Sequence, residues 1–492
     1  MSGSSGGASS IRRNALFALA SQGATGIFTA AITVYLVRAL DPAGYGVFAL
    51  ALGFAGVIAF PSDFGISLSA ARFIAERRGK PAEIAAVLAR ALGVKLVLTS
   101  SVVVALIVLA QPIADLYDEP DLAWPLRIVA IALLGQALVF LFANVFVAMG
   151  RVAWQFVLIL AEAATEATAT IGLVLLAGSA TAAATGRAVG YTVGALLGAA
   201  FVLRLLGRRA VAERRGGPPL RQLASYAGTL LVVDGAYAIF AHAGLLLVGG
   251  ILGATAAGVY GAPLKLASVF GFLGLSLAQA IAPRLARHPD EPPRVEALLD
   301  GIRLLVIVQG AVTAIVVIWA EPIVELILGA QYQGSVEVLR ALGLFIFLTG
   351  LGPLVSATLN FLGEARRRVP IAIGCAALNI ALAVALIEEI GITGAAWSFG
   401  ISYGIYVAGH IWLCRTLLGL RVRPLVLTAA RTALAAAALG GVLILIGTAD
   451  LSPLEWISGL VLGLVAFAAV LVLTREISGV EVRALVGYVR RG

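Results

Sequence analysis

Apolar residues in this chain come in runs near 20 residues long, and the charged residues gather between them. A helix needs about 20 apolar residues to cross the ~30 Å hydrocarbon core of a bilayer, so each run predicts a transmembrane helix. About fourteen runs can be drawn: 14–38, 44–70, 84–110, 125–149, 155–178, 182–206, 224–250, 257–283, 300–320, 338–362, 369–388, 393–415, 427–447 and 454–474. The loops between them alternate in sign. One set carries Arg77, Arg78 and Lys80, then Arg208, Arg209, Arg214, Arg215 and Arg221, then Arg287 and Arg294, then Arg366, Arg367 and Arg368. The other set carries Asp115, Asp118 and Asp121, then Glu321 and Glu325, then Glu388 and Glu389, then Asp450 and Glu455. Basic loops stay in the cytoplasm, which places both termini there. Arg38, Arg127, Arg187 and Arg340 fall to the outer side.

The pattern predicts an all-α integral membrane protein. A small polar tail at 1–10 is expected to be disordered, followed by spans 1–6 over 11–206. A basic loop at 207–223 separates these from spans 7–12 over 224–416. Spans 13 and 14 occupy 424–474, and 475–492 reads as an amphipathic tail on the inner surface. Sliding the second set of spans over the first by 212 residues lays Gly46-Val47-Phe48 on Gly258-Val259-Tyr260 and Arg72 on Arg284. One further residue of offset lays Gly150 on Gly363 and Glu166 on Asn379. Each half holds an even number of spans, so the repeats are parallel, a pattern found in transporters.

Composition narrows the chemistry. Hydrophobic residues make up 61% and charged residues 12% of the 492 positions, and the net charge is +9. The arginines lie at span ends, so anionic lipid headgroups rather than nucleic acid account for that charge. Cys375 and Cys414 lie inside apolar runs without metal-ligand spacing. His242, His288 and His410 are scattered, with no catalytic set or phosphate loop, so neither an enzyme nor a cofactor or metal is expected.

Leu40-Asp41-Pro42-Ala43-Gly44-Tyr45-Gly46-Val47-Phe48, Asp63-Phe64-Gly65-Ile66 and Ala71-Arg72-Phe73-Ile74-Ala75-Glu76 together resemble the opening signature of bacterial polysaccharide-unit flippases. Ala257-Gly258-Val259-Tyr260, Ala282-Pro283-Arg284-Leu285 and Gly391-Ile392-Thr393-Gly394-Ala395-Ala396 resemble its later motifs. The resemblance implies the multidrug/oligosaccharidyl-lipid/polysaccharide exporter fold, with two six-helix lobes around a central cavity plus two C-terminal helices. It also implies alternating-access transport of an undecaprenyl-pyrophosphate-linked oligosaccharide in a bacterial cytoplasmic membrane. Expected partners are that lipid-linked oligosaccharide, membrane lipids, a proton or sodium ion, and a polysaccharide polymerase with glycosyltransferases. Many relatives carry an acid late in span 7, where this chain has Gly244. A drug or metabolite exporter of the same superfamily and a membrane-embedded glycan ligase are the alternatives.

Charges inside spans cost at least about 2.5–3.5 kcal/mol each on insertion scales, so they face protein or water. Lys95, Glu162, Asp234 and Lys265 fall about 10–17 Å deep by residue counting, and Glu166 is one turn from Glu162. Asp63 lies nearer the end of span 2. These groups either pair as fixed struts or line a hydrated cavity. In the second reading Lys95 and Lys265 contact a diphosphate, as lysine binds phosphate. Glu162 and Glu166 resist joint ionisation and would couple transport to an ion gradient, with Asp234 and Asp63 as further candidates. Arg72 and Arg284 either anchor their spans or receive the anionic headgroup. Asn360 and Asn379 either bond between helices or meet sugar hydroxyls.

Overall fold

The computed structural model describes residues 4–63, 65–214, 216, 228–281 and 295–477. Among these the chain is almost wholly helical, as apolar sequence in a membrane requires: with no water to pair with, backbone groups bond within their own helix. Arg284, most of the loop 207–223 and the tail beyond 477 lie outside the described residues. Eleven described runs are long and apolar enough to cross a membrane. One of them, Val232–Ala278, is 47 residues, or ~70 Å as helix, more than twice the hydrocarbon core. It breaks at Gly253, whose φ of 85° no helix adopts, and so supplies two crossings. Two further helices are long enough: α1 (Ser4–Ala39), apolar from Gly23, and α17 (Ile392–Leu418), which is more polar. With the break counted, twelve of the fourteen expected runs are long and apolar enough among the described residues, and α1 and α17 occupy the other two positions. Helix α1 opens at Ser4, inside the segment 1–10 expected to be a disordered tail.

By contacts the chain forms two compact units, Met1–Gly261 and Ala262–Gly492. The first holds α1, α2 (Pro42–Asp63), α3 (Ile66–Ala75), α4 (Pro81–Leu116), α5 (Ala123–Ala148), α6 (Val152–Ala177), α7 (Ala180–Leu206), the short α8 (Arg208–Ala212) and most of α9 (Gly228–Val269). Its core packs Ile74, Val87, Leu141, Val145, Phe146 and Leu158, all fully buried, between α3, α4, α5 and α6. The motif Asp63-Phe64-Gly65 is where span 2 breaks, with Gly65 left-handed (φ 66°) ahead of α3.

The repeated glycines mark a crossing of α2 and α9. A Cβ on Gly46 would lie 1.8 Å from the Ala254 carbonyl oxygen, and one on Gly258 would lie 1.9 Å from that of Pro42. The two contacts are the same contact displaced by 212 residues, so only glycine fits at either position. Past the break at Gly253, the freed Ala254 N–H donates to Glu119 Oε1 (3.0 Å). Tyr117 donates to the Leu246 carbonyl (3.1 Å).

The second unit continues with α10 (Gly271–Ile281), α11 (Val295–Ile318), α12 (Ala320–Ile327), α13 (Ser335–Ala341), α14 (Gly343–Thr349), α15 (Leu351–Phe361), α16 (Val369–Ile390), α17, α18 (Val422–Ile446) and α19 (Pro453–Leu473). The run 338–362, expected as one span, is three helical pieces with breaks at Leu342 and Gly350. Gly350 is where the backbone of α10 approaches: a Cβ on Gly274 would meet its carbonyl at 1.8 Å. Gln309 on α11 donates to the Phe270 carbonyl (3.1 Å), at the junction of α9 and α10. Trp319 anchors the far end, buried among Leu439, Leu443 and Phe467, with its indole N–H on the Gly447 carbonyl (2.9 Å). Ser452 and Glu455 close a capping box that starts α19.

Candidate functional site

Helices α6 and α7 form a hairpin turning at Gly178, which is left-handed (φ 57°), and Ser179, which caps α7 by accepting from Ala182 N–H. Gly186, Gly190, Gly194 and Gly198 recur every four residues and so share one face of α7. That face lies on α6 and α5. Cβ atoms at Gly186, Gly190 and Gly194 would come within 2.4–2.8 Å of Thr170, Glu166 and Glu162 respectively, and one at Gly198 within 2.6 Å of Phe142. Small residues at this spacing let helix backbones touch in a membrane.

The close approach brings charges together. Arg187 donates to Glu166 Oε1 at 2.7 Å and to the Tyr191 hydroxyl at 3.2 Å. The guanidinium carbon stands 4.8 Å from the Tyr191 ring centre, a cation–π distance. Glu162, 7% exposed, faces the same pair, and its Oε1 is buried without a hydrogen-bond partner. Two carboxyl groups therefore lie beside one guanidinium, which is bonded to Glu166, about seven residues or ~10 Å into α7. The carboxyl oxygen of Glu162 left without a partner is where a proton or cation entering from water would be held.

The other expected site residues separate into two environments. Lys95 on α4 is 1% exposed; its ammonium donates to Ser67 on α3 (2.6 Å) and lies 5.5 Å from the Phe140 ring centre. Asn379 on α16 is fully buried and accepts from Ser398 on α17 (3.3 Å). Asp234, Lys265, Asn360 and Arg72 are exposed. Arg72 lies 3.3 Å from Glu76, one turn along, and both are about half exposed. Asp63 ends α2; its side chain, like Arg284 as a whole, is outside the described residues.

Two residues escaped the sequence reading. Arg187 counts with the outer-side arginines, yet it sits within α7 against Glu166. Its signal was hairpin arithmetic: positions equidistant from Gly178 face each other, which pairs 186 with 170 and 190 with 166 and leaves Arg187, between 186 and 190, within a side chain's reach of Glu166. Arg368 counts with the Arg366–Arg368 loop, yet it is 4% exposed while Arg366 and Arg367 point outward. Its guanidinium donates to Asn360 Oδ1 (2.6 Å), His410 Nε2 (3.1 Å) and the Tyr406 hydroxyl (3.2 Å). Because Nε2 accepts, His410 carries its proton on Nδ1, which lies 2.8 Å from the Tyr406 carbonyl. The Tyr406 hydroxyl pairs onward with Ser356 (3.1 Å). This is a buried cation held by neutral groups alone.

Eleven long apolar runs among the described residues, glycine-lined helix contacts and an ion cluster inside a hairpin define a polytopic helical membrane protein. The chain belongs to the family described as "Polysaccharide biosynthesis protein", whose model matches residues 11–288, more than half its length. The structure is similar to that of the lipid II flippase MurJ in an inward closed conformation, with a TM-score of 0.72 at 13% identity, over 94% of this chain and 99% of that one. It is also similar to an inward-facing MATE-family multidrug resistance transporter of the MOP superfamily: TM-score 0.64, 16% identity, 80% of this chain and 94% of that one. The MATE multidrug transporter DinF-BH, solved with R6G, gives 0.63 at 15% identity, over 84% and 97%. The fold is thus the one shared by these exporters and flippases. No curated protein sequence matches the chain at a significant level.

Proposed function

We propose that this protein is a flippase that moves a lipid-linked oligosaccharide of the polyprenyl-pyrophosphate type across a bacterial cytoplasmic membrane, with both termini in the cytoplasm. The observation that carries the reading is coverage. The flippase fold accounts for 94% of the chain, whereas the two multidrug transporters account for 80% and 84%, and the family match adds polysaccharide biosynthesis. Within that reading the Glu162–Glu166–Arg187 cluster takes up a proton or sodium ion and couples its release to the change of access. Exposed Lys265, Asn360 and Arg72, with Arg284, are the groups offered to the diphosphate and sugars. Buried Lys95 and Asn379 hold helices together in this conformation and would meet substrate only after a rearrangement.

Depleting the protein and locating the lipid-linked sugar tests the function. Accumulation in the inner leaflet is expected; accumulation in the outer leaflet would mean the step lies after translocation. The coupling role is tested separately with Glu162→Gln and Glu166→Gln. Each should lower transport and flatten its dependence on the ion gradient, and two variants with wild-type transport and wild-type gradient dependence would remove the cluster from the mechanism.

A further inference from the structure

Helices α11, α17, α18 and α19 line an open hollow of about 910 Å³ within the second unit, rich in arginine. Six arginines line it: Arg303, Arg415, Arg421, Arg423, Arg431 and Arg475. One carboxylate answers them. Glu476 accepts from Arg303 Nε (2.8 Å), Arg431 Nη1 (2.8 Å) and the Thr428 hydroxyl (2.7 Å), and Arg303 also reaches its backbone carbonyl. The chain is shaped to place it there. α19 ends in a Schellman turn, with Glu476 N–H on the Leu471 carbonyl (2.8 Å) and Arg475 N–H on that of Val472 (3.0 Å). Arg475 occupies the left-handed position (φ 57°) where glycine is usual. Among the described residues, Arg415, Arg421, Arg423 and Arg475 have no carboxylate partner.

A pocket that gathers four guanidinium groups without a carboxylate partner among the described residues repels cations and favours an anion. Arginine's planar fork matches phosphate oxygens two at a time. The walls add a second requirement. Leu427 lines the cavity and is 46% exposed, and Val426 (60%) and Leu434 (57%) continue an open apolar face along α18. At the end of α19, Val472 (45%) and Leu473 (81%) do the same. A basic hollow at the level of the helix ends, opening onto apolar helix faces, matches a molecule with a charged head and hydrocarbon chains. Basic pockets between transmembrane helices bind anionic headgroups in this way.

We propose that this cavity is a binding site for the phosphodiester headgroup of an anionic phospholipid, with its acyl chains along α18 and α19. Arg421 and Arg423, flanking the start of α18, are the principal phosphate ligands. Arg303, Arg431 and Glu476 form the rigid floor. The site does not depend on the flippase reading, because it asks only for a membrane.

The test uses the full-length protein in detergent, with phosphatidylglycerol added and bound lipid read by native mass spectrometry and thermal unfolding. Phosphatidylglycerol should be retained and should raise the unfolding midpoint, while phosphatidylcholine should do neither. Arg421→Gln/Arg423→Gln should weaken phosphatidylglycerol binding about thirtyfold, at roughly fivefold per arginine. Arg415→Gln, a milder change, should weaken it about fivefold. Arg204→Gln, at the end of α7, is the control for net charge and should bind as wild type. Equal binding of the two lipids, or of wild type and the double variant, would overturn the proposal. So would glycerol phosphate matching phosphatidylglycerol at equal concentration, which would make the site one for a soluble anion. A polyprenyl diphosphate displacing phosphatidylglycerol at equal concentration would reassign the site to the transported lipid.

Discussion

The hairpins α6–α7 and α16–α17 are built alike and filled differently. Both turn at a left-handed glycine, Gly178 or Gly391, and their second helices are each 27 residues long and begin 212 residues apart. At that offset the glycine face of α7 becomes Ser398, Ser402, Tyr406 and His410 on α17, all buried. Arg187 becomes Phe399, which packs on Phe345 with ring centres 4.7 Å apart. Glu166, one residue further in offset, becomes Asn379. In the first hairpin glycine removes side chains from the interface, backbones close, and acids and a base meet there. In the second the interface is occupied by side chains: Ser398 bonds to Asn379, and Tyr406 and His410 accept from Arg368, without a carboxylate among the described residues. A network of neutral groups around Arg368 fixes one packing, because its members hold one another in place. A cluster with one more carboxyl group than it has cations has more than one favourable protonation or ion occupancy, which suits it to switching.

The sharpest way to break this comparison is to remove a charge from the first hairpin. Arg187→Gln leaves Glu162 and Glu166 without a cation and should cost about 3 kcal/mol, the low end for breaking a buried pair, because the Arg187 side chain keeps 22% exposure. Thermal unfolding in detergent measures it. Adding Glu166→Gln should restore most of that stability by removing the carboxylate that Arg187 was bonded to, with transport still lost. If the double variant is as unstable as the single, Arg187 acts through packing on Tyr191 and not through charge. The reciprocal change, Asn379→Asp, puts a carboxylate beside Ser398 where the second hairpin has no equivalent of Arg187. Its expected cost is also about 3 kcal/mol.

Next in size is the glycine ladder itself. Gly190→Ala places a methyl group 2.5 Å from Glu166 Cβ and 2.6 Å from its Cα, atoms that cannot rotate away. Forcing the helices apart should cost about 2 kcal/mol. At the matching position of the second hairpin, Ser402→Ala removes a buried hydroxyl with no hydrogen-bond partner. That change should fall within about 0.5 kcal/mol of wild type, since no partner is orphaned. Similar losses at the two positions would mean that both hairpins are packed by the same rule.

Why the sequence revealed some of this and hid the rest follows from which forces leave a local trace. Crossing a bilayer demands length and apolarity, so α4, α5 and α19 are visible as runs. A backbone collision demands glycine at a fixed residue, so Gly46 and Gly258 appeared as a repeat before their contact was known. The sign of a loop charge reports only the side of the membrane on which its backbone lies. It does not report where one arginine of three points, so Arg368 was hidden among Arg366 and Arg367. Arg187 was hidden for a related reason: its partner Glu166 belongs to the neighbouring helix, and hydrophobic runs carry no register between helices. Buried Lys95 was legible as a charge at depth, but its partner Ser67 was not, because the break at Gly65 reorients α3.

The smallest expected effect concerns the one buried carboxylate that the second unit does hold. Among the described residues the buried charged groups are Lys95, Glu162, Arg368 and Glu476, and only Glu476 is an acid of the second unit. It lies beyond the end of α19 rather than inside a hairpin. Burial alone would raise its pKa, but hydrogen bonds from Arg431, Thr428 and Arg303 outweigh that and hold it below the ordinary value of 4.5. A folded-state pKa below the unfolded one means stability that is fully present above about 4.5 and lost as pH falls through the folded value. The wild-type unfolding midpoint should therefore decline on acidification below that point. Glu476→Gln should start lower at neutral pH and decline less, so that the two curves converge in acid. Parallel curves would show that the arginines hold the end of α19 by packing alone. Convergence would show that each unit keeps an arginine–carboxylate clamp, with the second placed at the rim, where losing it loosens a helix end and leaves the neutral hairpin intact.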